Sequence, residues 1–385
     1  MRPLDQFTPR VRKQADGIMG CLSSSVSPPI HTVLQAAGHW FLNSGIQDPG
    51  GGVARFYRID QAENADVSTE ITGYTVSALV QLYRDTGEMK YQNAAVCAAR
   101  FLTRHAWDSE LNTFPFEVPA ANPRFSYFFD CGIIVRGLLA VWRITKDEEF
   151  RKAAIAGGRA MLTDFPPHSP IHPILALPAK QPLAWEAQWS RSPGCYQLKS
   201  ALAWRELADA TGDATFLEGY EHALEAALQN SPEFLPGDPD RERVMDRLHA
   251  YSYFLEGLLP VLDRPECLAA FRAGIDRAAG FLRDIAPQFA RSDVYAQVLR
   301  VRLLGAAQGA LPLNESAAAH EAEQAASFQI EADDPRIAGG FFFGRKRGQN
   351  LAYANPVSTA FCVQALAMWD QHREAKLNPD WRALT

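Results

Sequence analysis

The chain has 385 residues, 47% of them hydrophobic and 21% charged, a globular balance that excludes a disordered or collagen-like polypeptide. Its 38 Lys and Arg against 44 Asp and Glu give a formal charge of −6; with no basic block to neutralise phosphates, nucleic acid is not an expected partner. This length ordinarily means two or three domains, unless a repeat closes on itself.

In chain order, no apolar signal core precedes Pro28 and Pro29, and the most apolar run, 131–142, is broken by Arg136. Neither a secretory leader nor a transmembrane helix is expected, and the chain reads as cytoplasmic. Residues 31–43 read as a single helix, followed by a long segment, 48–68, that opens with Asp48-Pro-Gly-Gly-Gly52. Residues 73–91 then read as a helix, a Thr86-Gly-Glu turn and the start of a second helix at Tyr91, small on one face through Ala94, Ala95, Ala98 and Ala99. After the segment 107–126 the same pattern returns over 132–150, with Thr145-Lys-Asp and Phe150, and again from Leu198 through Thr211-Gly-Asp to Phe216. A period of about 60 residues in three copies marks a repeat of helical hairpins. The turn closes one helix with Gly and opens the next with an acid at its positive end.

Weaker copies follow over 249–284 and 293–328, and a last helix over 357–372 needs a partner that 31–43 can supply. Six inner and six outer helices then close an all-α (α/α)6 toroid, in which each hairpin covers the apolar face of its neighbour. The expected organisation is an N-terminal extension over 1–30, one toroid domain over 31–375 and a tail over 376–385. The segments entering the inner helices, 48–68, 107–126, 165–194, 231–247 and 331–355, are long and share one end of the ring, where long loops bind ligands. They carry Tyr127, Trp185, Trp189, Tyr196 and Tyr353 with Arg55, Arg58, Arg124, Arg191 and Arg336. Rings stack on sugar faces and guanidinium forks grip carboxylates, which points to an acidic saccharide.

The pattern of a Gly-containing inner helix, a Thr-Gly-Asp turn, an aromatic residue and an Ala-rich outer helix resembles the six-hairpin glycosidase superfamily over nearly the whole chain. Tyr127-Phe-Phe-Asp130-Cys-Gly132 looks like the His-Asp-x-Gly segment of unsaturated glucuronyl hydrolases, and the resemblance implies a catalytic role for Asp130. Those hydrolases carry a second aspartate near the start of the next inner helix, where this chain has Gly194-Cys-Tyr196-Gln197. Asp48-Pro-Gly-Gly-Gly52 and Gly339-Gly-Phe-Phe-Phe343 resemble the Gly-Gly-aromatic loops of uronyl epimerases, polysaccharide lyases and N-acylglucosamine 2-epimerases.

The candidate catalytic residues are Asp130, whose partial burial would raise its pKa; Glu70, one inner helix earlier in nearly the same register; Glu186, between Trp185 and Trp189; and His249 with Tyr251, an acid–base pair suited to uronyl lyases and epimerases. Arg124, Tyr127, Trp185, Trp189, Arg191, Tyr196, Gln197, Arg336, Tyr353 and Asn355 are the candidate substrate contacts. Cys131 and Cys195 lack the spacing of a zinc site, the six cysteines read as reduced thiols, and no metal or cofactor is expected. Asp333-Asp334 followed by Pro-Arg-Ile does not make the acidic motif of a terpene cyclase. The leading expectation is hydrolysis of a uronyl-type substrate. A uronyl C5-epimerase or lyase, and a noncatalytic glycan- or partner-binding toroid, remain as alternatives, with oligomeric state open.

Overall fold

The computed structural model describes residues 29–118, 123–167 and 170–385; most of the 1–30 extension, Cys21 included, lies outside the described residues. Among the described residues, twelve α-helices form an (α/α)6 toroid. The inner helices are α2 (Thr69–Thr86), α4 (Phe128–Thr145), α6 (Leu198–Thr211), α8 (Arg241–Leu258), α10 (Ser292–Ala307) and α12 (Pro356–Arg373). Each packs on the next, and α12 packs back on α2 to close the ring. The outer helices are α1 (Ile30–Asn43), α3 (Met89–Phe101), α5 (Glu148–Asp164), α7 (Ala214–Phe234), α9 (Pro265–Ile285) and α11 (Glu315–Ala326), with α1 lying against α12.

The repeated turn has one chemical design. In each copy the Thr hydroxyl donates to the carbonyl four residues back, Thr86 to Leu82, Thr145 to Val141 and Thr211 to Leu207, and accepts from the amide of the acid two residues on. The residue between them is left-handed, with φ of 72° at Gly87 and Gly212 and 58° at Lys146. Asp147 and Asp213 then cap α5 and α7 through their carboxylates.

Glycines let the inner helices touch backbone to backbone. A Cβ on Gly132 would lie 2.5 Å from the Ser200 carbonyl oxygen, and one on Gly137 would lie 2.7 Å from that of Gly73. Four inner helices start directly, or one residue, after a short strand, and the strand pairs stitch the entry segments into a rim. Residues 57–58 pair with 353–354, 67–68 with 117–118, 124–127 with 174–177, and 289–291 with 344–346. The 231–247 segment differs from expectation. Asp240 caps α8 at Arg241, so the connection after α7 is short and His249 lies in the middle of α8 instead of at its start.

Candidate active site at the mouth of the ring

The end of the ring that carries the strand rim is its mouth. Four acids occupy the first turns of inner helices there: Glu70 on α2, Asp130 on α4, Glu242 on α8, which is paired with Lys346, and Asp293 on α10. A helix N-terminus favours the carboxylate form, yet in the first two residues burial wins. Asp130 is 5% exposed, and burial, reinforced by the charge of Glu70, raises its pKa well above the ordinary value against the opposing pull of Arg55. Its Oδ2 has no hydrogen-bond partner. Glu70 is enclosed by protein but keeps partial solvent access. Burial raises its pKa to about 7, again opposed by Arg55.

Arg55 is therefore the cation of the site. Its guanidinium lies 4.8 Å from the Phe116 ring centre and pairs with Glu117. Burial lowers its pKa, against the attraction of Asp66, Glu70 and Asp130. The strand Arg124–Tyr127 delivers α4 and makes Tyr127 the wall beside Asp130; burial and then the Asp130 charge push the phenol up to about 12. Beneath the acids lies an aromatic floor. The Tyr74 hydroxyl donates to that of Tyr253 at 2.9 Å, and Phe129 and Phe361 lie 4.7 Å and 6.3 Å from the Tyr253 ring.

His249 belongs to a second group on the same floor, 4.5 Å from Tyr253 between ring centres. The Gln297 Nε2 donates to the His249 carbonyl, which turns Gln297 Oε1 toward His249 Nδ1 at 2.8 Å. That pairing assigns the proton to Nδ1 and leaves Nε2 basic. Burial and then the like charge of Arg291 lower the His249 pKa to about 4, so the ring is neutral at pH 7 although Asp293 is nearby. Asp293 itself is held as a carboxylate by a two-bond grip from Arg291, at 3.0 and 2.6 Å.

The remaining candidates divide. Tyr251 points away from His249, as residues two apart on a helix must; its hydroxyl lies toward Gly274 of α9 and its ring stacks with Phe234. Glu186 is half-exposed and bound to Arg191 at 2.5 Å. Trp185 is exposed on the rim, whereas Trp189 and Tyr196 pack edge to face at 5.0 Å. Arg124 is paired with Asp108 and Arg336 with Asp334, both at 2.6–2.7 Å. Gln197 uses its amide on the Ile171 carbonyl and its oxygen on the Gly194 amide, which staples the 171–194 segment. Asn355 caps α12 and Tyr353 packs between Phe56 and Phe343. So the arginines expected to grip a substrate acid already hold protein acids. Arg55, itself paired with Glu117, is the one that lies beside Glu70 and Asp130, and Tyr74, Glu117 and Gln297 carried no sequence signal at all.

Among the described residues no group of three or more His, Cys, Asp and Glu is placed to hold a metal ion, and no helix is long and apolar enough to cross a membrane. A buried carboxyl whose pKa is raised well above the ordinary value, a second raised to about 7 and a fixed cation are groups that can give a proton to one oxygen of a ligand and take one from water on another side.

The fold superposes on a sugar epimerase from a ruminal bacterium with a TM-score of 0.68 and 12% identity, covering 88% of this chain and 97% of that one. It superposes on cellobiose 2-epimerase from Spirochaeta thermophila with a TM-score of 0.68, 14% identity and coverage of 91% and 100%. For the unsaturated glucuronyl hydrolase from Bacillus sp. GL1 the TM-score is 0.63, at 15% identity and coverage of 89% and 97%. No family model and no curated protein sequence matches the chain. The structural neighbours are thus six-hairpin glycosidase-like proteins, and the fold is what they share with this chain.

Proposed function

We propose that the protein is a carbohydrate-active enzyme that hydrolyses a uronyl-type bond in an acidic saccharide bound at the mouth. Asp130, kept neutral by burial, donates its proton to the bridging oxygen. Glu70, ionised above about pH 7, takes a proton from the attacking water. Arg55 faces the substrate's acidic group. The observation that carries this reading is the convergence of Glu70 and Asp130, from adjacent inner helices, into one electrostatically coupled pair beside Arg55. The unsaturated glucuronyl hydrolase among the structural neighbours agrees with it.

A second reading, epimerisation, is favoured by one separate observation: the Gln297 pairing presents a neutral His249 with a free Nε2, the form a base needs to take a carbon-bound proton. Two of the neighbours are sugar epimerases. Incubating the protein with uronyl oligosaccharides and reducing disaccharides in deuterium oxide separates the two. Hydrolysis releases a new reducing end and leaves recovered substrate undeuterated. Epimerisation puts deuterium on the inverted carbon without releasing a fragment. Neither outcome with any saccharide, and no thermal shift, would discard the enzyme reading in favour of a binding toroid.

A further inference from the structure

The opposite, lower opening of the ring is filled by residues 380–385. Three inner helices hold consecutive backbone groups of this segment. Gln364 of α12 donates to the Ala383 carbonyl at 2.7 Å and accepts from the Thr385 amide at 2.9 Å; Arg136 of α4 donates to the Leu384 carbonyl at 3.0 Å; Lys199 of α6 donates to the Thr385 oxygen at 2.8 Å. Each donor is itself locked. Lys199 and Arg300 share Glu256, Arg300 bonds Gln364 at 2.9 Å, and Arg136 and Arg143 share Glu206 at 2.7 and 2.6 Å. Lys199, Glu256 and Arg300 have no exposed surface.

The segment supplies two buried anchors, Trp381 and Leu384, while Arg382 stays outside over the Trp381 ring and pairs with Asp209. The chain leading to it, 374–379, is mostly exposed. A cavity of about 460 Å³, lined by Arg84, Gln371, Leu377 and Leu384 among others, flanks it on one side. Backbone bonds in register with two side-chain anchors that dock onto the hydrophobic core, behind an exposed tether and beside a cavity, are the features of a bound peptide.

We propose that the lower opening is a peptide-binding site whose resident ligand is residues 380–385 of this chain. The peptide class it takes is a short segment with an aromatic and an aliphatic residue three apart, read through carbonyls by Gln364, Arg136 and Lys199. The tether keeps the site filled, since an attached ligand acts at an effective concentration on the order of millimolar. An emptied site costs Lys199 and Arg136 one carbonyl bond each, while Glu256 and Glu206 still hold them in place.

The test inserts a protease recognition sequence between Lys376 and Leu377 of the full chain and cuts it after folding. The expected result is that the released fragment co-elutes with the ring, is displaced by excess synthetic peptide with the sequence of 380–385, and is not displaced by a peptide with Ser at the Trp381 and Leu384 positions. A fragment that falls away from a ring that then binds no peptide, or one that no peptide displaces, overturns the proposal. If the insertion prevents folding, Leu384→Ser in the otherwise unaltered chain decides. Faster proteolysis within 374–379 at unchanged far-UV circular dichroism supports an exchangeable segment, and unchanged proteolysis refutes it.

Discussion

Replacing Glu70 by Gln should make the protein more stable, by an amount set by pH. The carboxyl rises from its ordinary value of 4.5 to about 7 on folding, because its burial costs more than Arg55 returns. A raised folded pKa contributes stability that is complete while both states are protonated and is lost as pH climbs from the unfolded value to the folded one. At 1.36 kcal/mol per unit, the wild-type chain loses about 3 kcal/mol between pH 4.5 and 7 through this one group. Gln keeps the shape and polarity of the protonated acid and loses nothing. Urea unfolding of both proteins at pH 4, 5 and 8, extrapolated linearly, measures the difference. Glu70→Gln should be a few tenths of a kcal/mol more stable at pH 4, about 1 at pH 5 and about 3 at pH 8, while turnover is lost. A variant that is less stable at pH 8, or a difference that does not change with pH, would refute the burial argument and with it the assignment of Glu70 as a strained catalytic base.

Asp130→Asn should lower kcat by at least about 100-fold while a saccharide still raises the melting temperature, and the wild-type kcat/KM should rise with pH through about 7 as Glu70 ionises, then fall at higher pH when Asp130 loses its proton; a profile flat from pH 5 to 9 would contradict the role of Glu70. Gly132→Ala drives a methyl into the Ser200 carbonyl and should cost about 1–3 kcal/mol in chemical denaturation, because neither backbone can yield. Lys146→Gly relieves a left-handed residue at φ 58° and should gain roughly 0.5–1 kcal/mol in the same assay, since Gly meets no Cβ penalty there. Gln297→Leu frees the His249 ring to exchange tautomers and should abolish solvent deuterium incorporation if that exchange exists, without altering a hydrolytic rate.

Local chemistry made much of this fold readable. The Thr hydroxyl bonds to groups four residues back and two residues on, so a turn that depends on it repeats in the sequence wherever it repeats in space. The first turns of inner helices are likewise local, which is why Glu70 and Asp130 could be set in one register. What escaped was decided at a distance. Arg55 reaches the acids from a segment tied down by strand pairing between 57–58 and 353–354, and nothing near it in the chain announces that. Arg124, Arg191 and Arg336 looked free because their partners Asp108, Glu186 and Asp334 are loop acids without periodicity. The first two turns of α8 were hidden by the charged run Arg241-Glu-Arg, which the Asp240 cap converts from an apparent loop to helix.

An open array of hairpins has two outermost members, each with one apolar side that needs a polar substitute, and it is there that such arrays fray and tolerate shortening. Here the contact of α12 with α2, and of α1 with α12, gives every hairpin two neighbours. The ring has no outermost member. Removing any one hairpin breaks two interfaces at once, so its hairpins cannot be peeled off singly, and the number of repeats is fixed by geometry, unlike in a solenoid that gains or loses units freely. A catalytic pair shared between adjacent helices is therefore held by the whole circle.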